Sequence, residues 1–191
     1  ISKGNLWNGR FFAYNSFSPL MNEDGFSGGV RITRESRKHK INFQYSYLGD
    51  DYRTDLGILR RIGASKFSPY YLYTIFPKKG KINNISFGLY YWLWFKLNTS
   101  SQNILENNFN IPITLTFNNQ SEIQLMYRQA HQFFKRDFDP TGINKENPLD
   151  GGKVYRSNYI QIAYESNPTK KFYLTLSQNY GMFYEGSKYS F

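Results

Sequence analysis

Cysteine is absent from this chain of 191 residues, histidine occurs only twice, and acids number 14 against 24 lysines and arginines. Without cysteine there is no disulfide framework, no thiolate zinc site and no thiol nucleophile. Nor does the sequence contain a G-x-S-x-G, an H-E-x-x-H, a Walker loop or a dinucleotide fingerprint. His39 lies in the basic stretch Arg37 to Lys40 and reads as a solvated turn residue; His131, after Tyr127 and Arg128, reads as a packed strand histidine. A rim hydrolase would need a Ser/His or Asp/His site, so a non-enzymatic protein is expected, with no catalytic residue, metal ligand or cofactor. Asp50, Asp51 and Asp55 lack the spacing and terminal Glu of a calcium loop and read as solvated. Long hydrophobic runs are missing too. The longest, Leu89 to Phe95, falls well short of the roughly 20 residues that a spanning helix requires.

What the chain has in abundance is aromatic residues: 17 Phe, 17 Tyr and 3 Trp, or 19%. A soluble domain has no evident place for so many rings, whereas a membrane β-barrel uses them against lipid and at both interfaces. The mean hydropathy of −0.62 fits a barrel, because polar residues facing the lumen cancel apolar ones facing lipid. The net charge of +10 suits nucleic acid in principle. Here the cations sit mainly in turns instead of along one strand face, so nucleic acid is not an expected partner.

Period-two alternation dominates the sequence. Phe109, Ile111, Ile113, Leu115 and Phe117 alternate with Asn108, Asn110, Pro112, Thr114 and Thr116, close to the ~9–11 residues of a tilted membrane strand. Ile85, Phe87, Leu89, Tyr91, Leu93, Phe95 and Leu97 oppose Ser86, Gly88, Tyr90, Trp92, Trp94 and Lys96. The pattern predicts about nine strands, near 5–17, 27–35, 40–49, 63–76, 83–97, 104–117, 122–134, 153–166 and 171–184, with another beginning at Tyr189. The intervening connections alternate between long (18–26, 50–62, 135–152) and short (36–39, 77–82, 118–121, 167–170), with 98–103 intermediate. Short turns on one rim and long loops on the other belong to an up-and-down outer-membrane barrel. Basic residues such as Lys78, Lys79, Lys170 and Lys171 fall in the short turns, and most acids fall in the long loops.

The expected fold is therefore all-β, an antiparallel up-and-down transmembrane barrel segment of about nine to ten strands, occupying residues 1–191 with no second domain. Pro112 removes one ladder hydrogen bond, which a bulge would accommodate. Because bacterial barrels normally close on an even strand number, further strands are expected outside this sequence. The start at Ile1, without a signal-peptide pattern, points to a mature or truncated product. A soluble β-sandwich that binds glycans also explains alternating strands.

The stretch Tyr45 to Pro69, YSYLGDDYRTDLGILRRIGASKFSP, resembles a Bacteroidota outer-membrane β-barrel family of unknown function that usually follows a family-nine-like carbohydrate-binding domain. Tyr52, Gly57, Ile58 and Arg61 occupy places comparable to that family's F-N-P-x-x-G-F-x-x-R, although Arg53-Thr54 replaces the Asn-Pro. Gly181 to Gly186 is similar to its G-x-F-Y-x-G, and the loop from Phe133 to Gly152 also looks similar. The resemblance implies an internal piece of a longer barrel, an upstream carbohydrate-binding-like domain and no catalytic residues to carry over.

Residue by residue, the expected lipid-facing set is Phe109, Ile111, Ile113, Leu115, Phe117, Ile85, Phe87, Leu89 and Leu93. Tyr90, Trp92, Trp94 and Lys96 form the candidate lumenal set; rings so placed either stack on sugars or plug the barrel. Expected partners are outer-membrane lipid, other envelope proteins in a complex and a glycan. The location is a multi-pass protein of a Gram-negative outer membrane, serving transport or an envelope assembly.

Overall fold

The computed structural model describes residues 6–18, 23–52, 61–96, 103–140, 148–184 and 186–191. Among them there is no helix. The strands are β1 (Trp7–Ser18), β2 (Glu23–Glu35), β3 (His39–Leu48), β4 (Ala64–Phe67), β5 (Tyr70–Ile75), β6 (Ile82–Phe95), β7 (Ile104–Phe117), β8 (Glu122–Phe134), β9 (Lys153–Glu165), β10 (Thr175–Phe183) and β11 (Gly186–Ser190). All pair antiparallel in one 11-stranded sheet that follows chain order from β1 to β11. No second sheet packs on it among the described residues, and the close contacts between strands are those of neighbours in this order.

β4 and β5 share one place between β3 and β6. The expected single strand at 63–76 is thus divided at Ser68 and Pro69. Backbone bonding nearly spans the division: Ser68 N–H donates to Gln44 O at 2.9 Å, and Tyr91 N–H to Pro69 O at 3.1 Å. Proline at the break needs no donor of its own.

Pro112 behaves differently, because no bulge forms around it. Its pairing with Met126 of β8 is in step with its neighbours. On the other side the β6–β7 ladder omits the two pairs at Gly88 and Leu89 and resumes in the same register at Tyr90↔Asn110. Gly88 is also where the next strand comes close, since a Cβ there would meet Tyr71 O at 2.0 Å.

The connection lengths alternate in the middle of the chain only. One rim carries 36–38, 76–81, 118–121 and 166–174; the other carries 19–22, 49–63, 96–103, 135–152 and 184–185. The expected long loop at 18–26 is mostly strand, because Glu23 to Phe26 pair with Ser18 to Asn15. Conversely, β10 starts at Thr175 instead of 171, with Phe172 and Leu174 exposed before it. The Gly186-Ser187 turn is displaced to Tyr184, which has φ 55°, and β11 already begins at Gly186.

Burial is inverted with respect to a water-soluble sheet. On β7, Asn110 and Pro112 are buried, while Ile111 and Ile113 are exposed. The same holds across the described residues of the face that carries Asn110, where Ser27, Asn42, Ser46 and Ser157 are also buried. Buried apolar residues are few, Ala64, Leu105, Pro112, Tyr155 and Ala163, and Ser65 is a buried serine on the opposite face beside Tyr47. Phe11, Val30, Ile32, Phe43, Ile160 and Ile162 are all exposed on that opposite face. Ordinary soluble domains keep their contiguous apolar patches small. With a single layer, polar side chains become buried when the sheet curls toward them and crowds them together.

Candidate functional site

The registers connect one side chain per strand into a row across the polar face. Asn8 pairs Thr33, Thr33 pairs Asn42, Asn42 pairs Tyr70, and Tyr70 pairs Tyr90. The row continues through Asn110, Arg128, Tyr159, Gly181 and Lys188. Each strand contributes to this face at every second residue, and the ladder decides which residues meet.

The centre of the row holds a cavity of ≈ 240 Å³ whose walls include Asn42, Tyr70, Tyr90, Trp92, Asn110 and Arg128. Asn42 and Arg128 lie four strand places apart, roughly 19 Å along a flat sheet at ~4.8 Å per strand. That both reach one small cavity agrees with curling toward the polar face.

The interactions around the cavity are specific. Arg31 Nε donates to Asn42 Oδ1 at 2.7 Å, and Asn42 Nδ2 to Ser68 O at 3.4 Å. The Tyr70 and Tyr90 rings are tilted, with centroids 5.2 Å apart. Arg128 Nη2 donates to Gln161 Oε1 at 3.2 Å. Two cations approach the Tyr159 ring, Arg128 Cζ at 6.0 Å and Lys188 Nζ at 4.3 Å, contacts favoured by the negative face of the ring. Asn110 is 4% exposed, and its Nδ2 has no hydrogen-bond partner.

A second cluster centres on Glu106. Its carboxylate accepts from Arg61 Nη2 at 3.0 Å, Trp92 Nε1 at 3.1 Å and Asn108 Nδ2 at 2.7 Å. Arg61 belongs to the connection between β3 and β4, so this ion pair ties that connection onto the polar face. Beside it is a cavity of ≈ 630 Å³ lined by Arg61, Lys96, Glu106, Gln132 and Lys135. Tyr184, beyond the end of β10, closes this end and donates to Gln132 Oε1 at 3.3 Å. Burial pushes the Tyr184 hydroxyl pKa up, with Glu106 and Tyr159 acting in the same direction.

The structure brings Tyr90 and Trp92 together in the smaller cavity. Trp94 instead lies under the Lys66 ammonium at 5.3 Å. Lys96 faces Asp50 at 3.8 Å and lines the larger cavity. Asp55 lies outside the described residues. The loop at 135–152 is fixed at its base by the Phe138↔Leu149 bridge and by Asp137 Oδ1 accepting the Gly151 N–H at 2.8 Å. His39 is not a free turn residue: it opens β3 and its Nδ1 is 2.9 Å from Tyr71 Oη. His131 stands in β8, paired with Asn107 and Arg156.

Tyr70 and Glu106 escaped the sequence reading, and Asn42, Asn110 and Arg128 entered it only as polar positions in alternating strands. Their common signal is the ladder, which single-strand alternation does not contain. The apolar set behaves as one surface: Ile85, Phe87, Leu89, Leu93, Phe109, Ile111, Ile113, Leu115 and Phe117 share the opposite face, with Phe87, Leu89, Ile111 and Ile113 exposed and the others half-buried.

The chain belongs to the family described as Domain of unknown function (DUF5916), whose model matches residues 3–191. No curated protein and no solved structure matches it.

Proposed function

We propose that this member of the family is a segment of an integral outer-membrane β-barrel, its apolar face against lipid and its polar face lining the interior. One observation carries the proposal: Ile111, Ile113, Leu125 and Ile162 are 38–52% exposed while Asn42 and Asn110 are 4% exposed. In water this arrangement forfeits part of the about 1.5–3 kcal/mol that full burial of each large apolar side chain would bring. In hydrocarbon the forfeit disappears, and a polar face must be turned inward.

Other features agree. β6 and β7 have 14 residues each, and β2, β8 and β9 have 13, enough for the ~9–11 of a tilted span. The face that carries the aliphatic residues also has aromatics toward both strand ends, Trp7, Tyr73, Phe117 and Tyr164 at one and Phe17, Phe26, Phe95 and Phe133 at the other. Such girdles suit the two interfaces. In lipid the edges β1 and β11 must be paired, with each other or with further strands, because open edges leave backbone groups unsatisfied.

The function that follows is transport, or a structural part in an envelope assembly, without enzymatic chemistry. The competing soluble glycan-binding sandwich needs a second sheet to cover the apolar face, and none stands among the described residues. The test exploits the absence of native cysteine. Single cysteines at 111, 113, 125 and 162 carry an environment-sensitive fluorophore in the full-length protein reconstituted into liposomes. Quenching by nitroxide lipids at these positions, and not at 110, 114 or 124, is the expected result. Equal quenching on both faces, or none, refutes the proposal.

A further inference from the structure

We infer that the cavity on the transverse polar row is a binding site for a sugar ring carrying a carboxylate, a uronic acid unit. The strongest sign is Asn110. Its amide is 4% exposed, lines the cavity and leaves Nδ2 without an acceptor. Burying a donor unmatched is costly, and such groups in native proteins call for a partner. An apolar residue of the same size would avoid that cost, so the amide is an unmatched donor set into the wall of the cavity.

The rest of the wall defines what that partner offers. Tyr70, Tyr90 and Trp92 supply ring surfaces, and the C–H face of a sugar packs against such rings. The polar contribution comes from Asn42, Ser68, Asn110 and Arg128, of which Arg128 is the one cation, and no carboxylate lines the cavity. The adjacent acid, Glu106, is occupied by Arg61, Trp92 and Asn108. Arg128 is held through Nη2 by Gln161 and through Nε by Met126 Sδ at 3.1 Å, which leaves Nη1 as the donor for a charge-assisted bond to a carboxylate. A volume of ≈ 240 Å³ is below the ~300–1,000 Å³ of drug-sized pockets and suits one ring of a longer chain. A ligand that carries negative charge and presents a flat apolar side suits the cation and the rings of this wall.

The site deepens the proposed function and rests on the polar face being an interior surface. Its test uses the full-length protein in detergent, with tryptophan fluorescence titrated by D-glucuronate and by D-glucose. Glucuronate is expected to change the signal saturably and to bind about tenfold or more tighter than glucose, the worth of one charge-assisted hydrogen bond. Asn110→Leu is expected to weaken glucuronate about tenfold while the melting temperature holds or rises; Arg128→Gln is expected to abolish the preference for glucuronate. No saturable response to either sugar overturns the site, as does unchanged binding by Asn110→Leu. Equal affinity for the two sugars overturns the carboxylate assignment. Lipid quenching at position 113 without a sugar response sinks this site and leaves the membrane proposal standing. The converse pair of results sinks the membrane proposal and keeps the site.

Discussion

The two faces of the sheet share one backbone and one set of strands, yet burial treats them in opposite ways. On one face the polar side chains bond to one another, Arg31 with Asn42, Arg128 with Gln161 and Arg61 with Glu106, and the amides Asn42 and Asn110 are buried. On the other, Ile, Leu and Phe line up along the rows and stay accessible. This contrast between the faces is what the membrane proposal rests on, since hydrocarbon tolerates displayed aliphatics and water does not. Hydropathy averages conceal this, because the two faces cancel in the mean.

Three tests sharpen the comparison. Ile111→Lys, in the middle of the apolar face, is expected to cost about 2–4 kcal/mol in urea unfolding from liposomes, as for a cation at a bilayer midplane. An exposed residue in water would change stability by only about 0.5 kcal/mol, so a value that small would mean the two faces see the same solvent. Gly88→Ala comes next. The added Cβ runs into Tyr71 O across the ladder, and overpacking of this kind costs about 1–3 kcal/mol. Gly9→Ala, with open space around it, should stay within about 0.5 kcal/mol; equal effects in denaturant melts would refute the tight contact. The smallest effect belongs to Glu106→Gln. Side chains 19% and 22% exposed place this pair between surface and buried cases, so about 1–2 kcal/mol is expected. Adding Arg61→Gln should cost less than its effect alone, and strict additivity in the double-mutant cycle would mean the two groups are not coupled.

Much of the fold could be read from alternation, because strand and face are both local properties. Ile85 to Leu93 and Phe109 to Phe117 assigned themselves to one side, and the ladders place them there. Strand ends were less legible. Asp24 and Gly25 look like turn residues, but the β1–β2 ladder holds them in extended pairs; Phe172 and Leu174 look like strand, but the ladder begins beyond them. Pro69 marked a real break, which the apolar flanks Phe67 and Tyr71 concealed. The candidate site was the least legible part. Asn42, Tyr70, Tyr90, Asn110 and Arg128 are spread over most of the sheet, and only the offsets of four successive ladders bring them into one row. Tyr90 and Trp92 drew attention through ring type; the amide and guanidinium opposite them carried no such mark.

The chain-order arrangement of the sheet has a consequence for how the molecule comes to exist. Every ladder joins segments that follow one another along the polypeptide, apart from the Ser68–Pro69 interruption, which stays within a single place. No distant segment has to be found before a hairpin can close, and local contacts of that kind favour rapid formation. Each hairpin arrives already two-sided, with its oily and wet surfaces decided. Assembly can therefore advance one hairpin at a time, each newcomer reading its alignment from the strand laid down before it.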